Sequence, residues 1–118
     1  MANVDLIKRE RNTKVFAAGE TIFAEGDPAS ECFYVLEEGQ VEIANQKKFL
    51  ETIQPGGFFG EMGLVNNKPR SATATAKTDC RIVQVNKGDF YFLIQHSPFF
   101  AIEVMQVLSE RVRRNTDA

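Results

Sequence analysis

The first two thirds of the chain alternate between short apolar segments and turn residues. Turns rich in Gly, Pro and acidic residues occur at 19–20, 25–28, 37–39 and 55–57. The segments between and after them are too short for helices and are rich in aromatic and β-branched residues, which favour strands. These segments are 15–16, 21–23, 32–36, 41–44, 49–53, 71–76 and 81–85. Short strands at regular spacing predict a mainly β fold, an antiparallel β-roll resembling a jelly roll, with about eight strands.

After Asn86 the apolar spacing changes to the period of an α-helix. Asn86 is a suitable N-cap, and Asp89 falls in the first turn, where a carboxylate is favourable. This predicts a short helix that ends near residue 95. Ser97 and Pro98 are typical of the cap and first position of a second helix, which we predict to run to residue 114. Its predicted core-facing stripe is Ala101, Val104, Met105, Leu108 and Val112.

Composition is that of an ordinary globular protein. The chain has 118 residues, of which 43% are hydrophobic, so we expect one domain over 1–118 with a packed core. We divide it into an N-terminal segment 1–12, with a helical turn at 4–10, a β-roll 13–86 and C-terminal helices 87–114. No apolar run approaches the ~20 residues of a membrane span and no secretory leader follows Met1, so we expect a cytoplasmic protein without a membrane partner.

Charge and cysteine content narrow the functional classes. The net charge of −2 offers no positive field to a nucleic-acid backbone. The basic cluster Arg111, Arg113 and Arg114 is interpreted as complementing the dipole at the end of the last helix. Cys32 and Cys80 lie in separate β-like segments without metal-ligand spacing, so both are predicted to be buried free thiols. We therefore expect neither a nucleic-acid partner nor a metal or cofactor.

Residues 55–76 interrupt the strand pattern with a non-strand insertion. Its glycines permit close backbone approach and positive φ, and residues 61–64 are predicted to form one helical turn whose free N–H groups suit an anion. Arg70 follows, with a planar fork of donors that matches a phosphate. A partly buried guanidinium needs an anion to offset its desolvation. These features indicate an anion-binding site.

This segment resembles a known family. The run Phe59 to Leu64 (FGEMGL) and the run Pro69 to Thr73 (PRSAT), with their separation, resemble the phosphate-binding cassette of cyclic-nucleotide-binding domains, here 57–73. The family includes bacterial catabolite activator proteins and regulatory subunits of cyclic-AMP-dependent protein kinase. The resemblance extends over about residues 15–114 and includes the 26–27 turn, the 33–39 segment and the last helix.

The resemblance implies a small sensor that binds a cyclic nucleoside monophosphate and is not an enzyme. It implies that Arg70 pairs with the exocyclic phosphate oxygens, that Gly60 lies against the sugar and that Glu61 accepts the ribose 2′-hydroxyl. Ser71 and the backbone of Ala72 are expected to donate further hydrogen bonds. The implied ligand-binding residues are Phe59, Gly60, Glu61, Met62, Arg70, Ser71, Ala72 and Thr73, with Ile43 and Leu50 as an apolar wall.

The chain also departs from the family pattern. It ends soon after the last predicted helix, so we expect most of the hinge helix that closes over the base, with its usual purine-reading residue, to be missing or supplied by a partner. A hydroxyl after the cassette Arg occurs with both base preferences, and cyclic GMP is especially associated with Thr. With Ser71 at this position, we favour cyclic AMP over cyclic GMP.

Two alternatives remain open. In one, Arg70 and Glu61 form a structural ion pair in a degenerate fold that binds nothing. In the other, a helix face docks a protein partner or a second copy regardless of nucleotide; its residues are Phe99, Phe100, Ile102 and Val107.

Phe58, Phe59 and Met62 are expected to pack in the core. His96, the one histidine, is interpreted as structural because no nucleophile or carboxylate stands near it in sequence.

Overall fold

The computed structural model describes residues 12–30, 32–61 and 68–117, with side chains as far as residue 113. The predicted helical turn at 4–10 lies outside these residues, as do Met62 and all of the 61–64 turn except Glu61. The described strands, all paired antiparallel, are β1 Thr13–Phe16, β2 Thr21–Phe23, β3 Cys32–Glu38, β4 Val41–Ala44, β5 Phe49–Ile53, β6 Phe58–Phe59, β7 Thr73–Ala76 and β8 Cys80–Asn86.

The eight strands form two four-stranded sheets. One sheet has the order β1-β8-β3-β6 and the other has the order β2-β7-β4-β5. Two helices follow, α1 Lys87–His96 and α2 Phe99–Asp117. The predicted β-roll with C-terminal helices is therefore confirmed. Strand β6 was not predicted, because its two residues stand inside a glycine-rich segment with no alternation of its own.

The core has two parts, one on each side of the central strands β3 and β8. Between the sheets, Leu36, Ala74 and Ile82 are fully buried. On the other side, Phe33 and Val83 pack against Leu93 of α1 and Phe100 of α2. Strands covered on both faces are apolar along most of their length, which explains the unbroken run at residues 32–36. The two free thiols are buried as predicted, at Cys32 and Cys80.

Helix α1 begins as its sequence predicts. The Asp89 backbone N–H donates to Asn86 Oδ1 at 2.8 Å, and the Asn86 N–H donates back to the Asp89 carboxylate at 3.3 Å, which completes a capping box. The helix ends at His96, where the Ser97 N–H donates to the Leu93 carbonyl at 2.7 Å. No helix in the described part of the chain has the length and apolarity needed to span a membrane.

Helix α2 is present, but its predicted core stripe is partly wrong. Met105 and Val112 are 56% and 65% exposed, whereas Phe100 is buried and Val107 packs against the core. The predicted docking face, which included Phe100 and Val107, is corrected in the same way. Two apolar stripes with the same helical period run along α2, and periodicity does not specify which one faces the sheet.

Candidate functional site

A cavity of about 260 Å³ lies between the second sheet, the 57–73 segment and α2. Eight of the ten predicted ligand-binding residues line it: Ile43, Leu50, Phe59, Gly60, Glu61, Arg70, Ser71 and Ala72. Thr73 does not line it; its Oγ1 accepts a hydrogen bond from the Glu25 backbone at 2.9 Å and fastens the loop after β2. Met62 lies outside the described residues. The structure thus brings most of the predicted set to one cavity.

Arg70 is the buried cation of this cavity, with 8% of its surface exposed. Its Nη1 donates to the Gly60 carbonyl at 2.8 Å and its Nη2 donates to Ser30 Oγ at 2.7 Å. The guanidinium stacks on the Phe23 ring, 4.3 Å from the centroid. These partners are all neutral, and across the described residues Arg70 forms no ion pair with a carboxylate. A desolvated positive charge therefore faces the cavity with no carboxylate paired to it in the described part of the chain.

The backbone on either side of Arg70 is tied to the loop after β2. The Arg70 N–H donates to the Asp27 carbonyl at 2.8 Å, and the Gly26 N–H donates to the Arg70 carbonyl at 2.8 Å. Each segment thus donates one main-chain hydrogen bond to the other. These bonds to a distant loop, rather than the neighbours of Arg70 in sequence, fix where its backbone lies.

Glu61, the other charged residue of the predicted site, is paired with Arg111 of α2 rather than with Arg70. Arg111 Nη1 lies 2.6 Å from Glu61 Oε1, and Arg111 Nε lies 2.8 Å from Glu51 Oε1. Its Nη2 donates to the Phe58 carbonyl, and its guanidinium stands over the Phe58 ring at 5.1 Å. The structural ion pair considered for Arg70 and Glu61 is therefore not the arrangement that forms.

Arg111 belongs to the cavity wall, which the sequence interpretation missed when it assigned the residue to the helix dipole. The sequence did carry a signal, since Arg111 stands seven residues after Val104 and three after Leu108, on the stripe that is buried. A charged residue on a buried helical stripe requires a buried partner of opposite charge. Leu108 and Val112 line the cavity beside it, so α2 supplies a wall that was not foreseen.

The lining of the cavity has two chemical characters. Lys68, Arg70 and Ser71 contribute positive charge and hydrogen-bond donors, while Ile43, Leu50, Leu108 and Val112 contribute apolar surface. Phe59 is buried, as predicted, and also lines the cavity. Such an arrangement suits a ligand that joins an anion to a flat apolar ring. His96 packs against Phe92 of α1 with the rings tilted by 39° and 4.3 Å between their centroids, and it is not among the lining residues.

Comparison with known proteins gives a consistent result. The sequence profile of the family described as "cyclic nucleotide-binding domain" matches residues 13–97. A cAMP-dependent protein kinase regulatory subunit of Colletotrichum orbiculare is 36% identical over 84 residues, which cover 70% of this chain and 21% of that protein. The chain spans only about a fifth to a quarter of the length of such curated relatives.

Solved structures agree in fold. The catabolite activator protein of Thermus thermophilus superposes with a TM-score of 0.78 at 25% identity, covering 96% of this chain and 53% of that chain. A protein of a cyclic-GMP-dependent signalling pathway in bacterial phytopathogenesis superposes with a TM-score of 0.74 at 29% identity. That match covers 86% of this chain and 84% of the other.

Proposed function

Because the chain belongs to the cyclic nucleotide-binding domain family, we propose that it binds a cyclic nucleoside monophosphate as a non-catalytic sensor or regulatory module. The observation that carries the proposal is Arg70, a guanidinium with 8% exposure whose described partners are all neutral. An anionic ligand in the cavity offsets the desolvation of that charge. We take residues 1–118 as one cytoplasmic domain, with no nucleic acid or membrane among its partners.

The ligand is oriented by the two chemical characters of the cavity lining. In our proposal the cyclic phosphate lies against Arg70, the Ser71 hydroxyl and the Ala72 N–H. Glu61 accepts the ribose 2′-hydroxyl while it keeps its bond to Arg111, since a carboxylate has about four lone-pair sites. The base then lies against the apolar surface, between Ile43, Leu50 and the α2 residues Leu108 and Val112.

We propose cyclic AMP as the preferred ligand, with cyclic GMP as the competitor. Support comes from Ser71, which stands after Arg70 where the family's cyclic-GMP sites are associated with Thr. The similar proteins include one whose name refers to cyclic AMP and one whose pathway depends on cyclic GMP, so both bases belong in the test.

Calorimetric titration with cyclic AMP, cyclic GMP and 5′-AMP tests the proposal. We expect saturable binding of a cyclic nucleotide, with 5′-AMP as the weaker control. Arg70→Ala should abolish that binding, whereas Arg81→Ala should leave it unchanged, because Arg81 pairs with Glu38 on the exposed face of the first sheet. A folded wild-type protein that binds neither cyclic nucleotide, or an Arg70→Ala variant with unchanged affinity, would overturn the proposal.

A second candidate function is a protein-interaction module that acts without nucleotide. The outward face of α2 exposes three large apolar side chains, Phe99, Ile102 and Met105. An apolar stripe of this kind suits a protein partner or a second copy of the chain. Sedimentation of the wild type and of Ile102→Glu, with and without cyclic AMP, separates the two functions. Self-association that is lost in the variant and unaffected by nucleotide would favour the interaction module.

A further inference from the structure

Ser30 is in direct contact with Arg70 but does not line the cavity. It is an exposed residue of the loop between β2 and β3, forty positions before Arg70, and its Oγ accepts a hydrogen bond from Arg70 Nη2 at 2.7 Å. A ligand in the cavity would meet Arg70 and not Ser30. The direct contact with the guanidinium gives Ser30 a route by which it can act on ligand binding from outside the cavity.

The contacts of the Arg70 guanidinium restrict different motions. Arg70 Cζ lies over the Phe23 ring, 4.3 Å from its centroid, so the ring limits movement of the group on that side. The Gly60 carbonyl accepts from Nη1 at 2.8 Å and Ser30 Oγ accepts from Nη2 at 2.7 Å. A guanidinium has five N–H donors, so three remain for a ligand once these two are engaged. Two anchors on different nitrogens prevent the rotation that a single anchor would allow.

Ser30 also contacts the first sheet through the cysteine at the start of β3. Its Oγ lies 3.3 Å from Cys32 Sγ at the start of β3, and Gln84 Nε2 of β8 donates to the same sulfur at 3.3 Å. Both groups of this contact carry a proton, and either the Ser30 hydroxyl or the Cys32 thiol can donate it. A chain of hydrogen bonds thus joins Arg70 to the two central strands of the first sheet, and linked bonds of this kind polarise one another.

We propose that Ser30 is a positioning residue, which fixes the rotation of the Arg70 guanidinium and so sets the affinity of the site for the exocyclic oxygens of a cyclic phosphate. The proposal rests on the proposed function and extends it to a residue outside the cavity. It makes the affinity depend on a hydroxyl at position 30 rather than on packing there, since the exposed side chain fills no part of the core.

Two substitutions test the hydroxyl. We expect Ser30→Ala to weaken cyclic AMP binding about tenfold, within the range for a hydrogen bond to a charged group, and Ser30→Thr to restore most of the affinity. Ser109→Ala, on the exposed face of α2, is the matched control and should bind like the wild type. Unchanged affinity in Ser30→Ala, with binding abolished in Arg70→Ala, overturns the positioning role and leaves the proposed function intact.

The two cyclic AMP phosphorothioates, with sulfur in place of one or the other exocyclic oxygen, separate positioning from a structural role. A fixed guanidinium distinguishes the two diastereomers, so their affinity ratio should shrink in Ser30→Ala and recover in Ser30→Thr. If Ser30 merely supported the loop, Ser30→Ala would lower the melting temperature and weaken both diastereomers equally. That result would overturn the proposal.

A ligand-free measurement makes the proposal independent of nucleotide binding. Nitrogen-15 NMR of the Arg70 side chain should show slow rotation of the Nη groups in the wild type and averaged signals in Ser30→Ala. Identical spectra would overturn the positioning role. If the wild type binds no cyclic nucleotide, the proposed function fails, and the NMR comparison alone decides whether Ser30 orients Arg70.

Discussion

Gly60 links backbone conformation directly to the position of the Arg70 side chain. Its φ is +75°, and a Cβ built there would lie 3.1 Å from Arg70 Nη1 and 3.2 Å from the rings of Phe23 and Tyr34. A substitution at Gly60 therefore costs stability in two ways. The new side chain is strained at a positive φ, and it also pushes the Arg70 guanidinium out of place. Gly19 has a φ of +90° and nothing within 4 Å of such a Cβ, so it carries the first cost alone.

We predict that Gly60→Ala and Gly19→Ala both lower the free energy of unfolding, by about 1–2 kcal/mol for the backbone, with Gly60→Ala the larger. Only Gly60→Ala should also weaken cyclic AMP binding, because its methyl group crowds Arg70. Urea denaturation and calorimetry of both variants check this. Equal binding by the two variants would show that Arg70 tolerates the methyl group without moving.

Tyr34 gives the protein a dependence on alkaline pH. Burial raises the pKa of its phenol above 10.0, and neighbouring Cys32 raises it further, while Arg70 acts in the opposite direction. A raised pKa means that the folded state holds the proton more tightly than the unfolded chain. The stabilisation is therefore complete below the unfolded-state pKa and is lost as the pH rises through the folded-state pKa.

We predict that wild-type stability decreases above about pH 10 more steeply than that of Tyr34→Phe, which has no phenol to ionise. Thermal unfolding of both proteins between neutral and strongly alkaline pH measures the difference, and lysines common to both cancel in the comparison. Parallel curves for the two proteins would mean that Tyr34 ionises as easily in the fold as in the unfolded chain.

Arg111 joins helix α2 to two carboxylates of the cavity wall. The Arg111 guanidinium contacts two carboxylates, Glu51 of β5 and Glu61 of the 57–73 segment, with side chains only 15–20% exposed. Without the arginine, two carboxylates would face each other in a partly buried space. The same contact means that a ligand bound at Glu61 and the position of α2 are energetically linked.

We predict that Arg111→Ala lowers the free energy of unfolding by roughly 2–4 kcal/mol, as expected when one partner of a largely buried ion pair is removed. Arg113→Ala, an exposed residue on the same helix, is the control and should change it by less than about 0.5 kcal/mol. Chemical denaturation measures both. Equal small effects would indicate that water takes over the role of Arg111 in pairing the carboxylates.

For the molecule as a whole, the proposed binding would be coupled to stability, because the cavity is assembled only when the second sheet, the 57–73 segment and α2 come together in the fold. A ligand that binds only the folded state stabilises it by about 2.7 kcal/mol at a concentration of 100 times Kd. We predict that cyclic AMP at this concentration raises the melting temperature by about 10 °C, with little change from 5′-AMP. A cyclic AMP shift that persists in Arg70→Ala would place the binding site elsewhere.

Local features of the sequence were sufficient for most of the secondary structure. Turn residues at short intervals and segments rich in β-branched and aromatic residues predicted most of the strands, and the change of period after Asn86 predicted both helices, with Asn86 as the N-cap of the first. These features depend on residues a few positions apart, whose geometry is set by the backbone itself. The motif at 59–73 likewise placed six cavity residues, since a loop that approaches a phosphate needs glycines and an arginine at short spacing.

Other features depend on contacts between residues far apart in the chain, and only the tertiary structure decided them. The face of α2 that turns to the sheet, the pairing of Arg111 with Glu51 and Glu61, and the contact of Ser30 with Arg70 all join distant segments. Helical period is unchanged by rotation about the helix axis, and a charge in the sequence does not specify its partner. Packing and desolvation select one arrangement, because a buried charge must find a partner among the groups that the fold brings within reach.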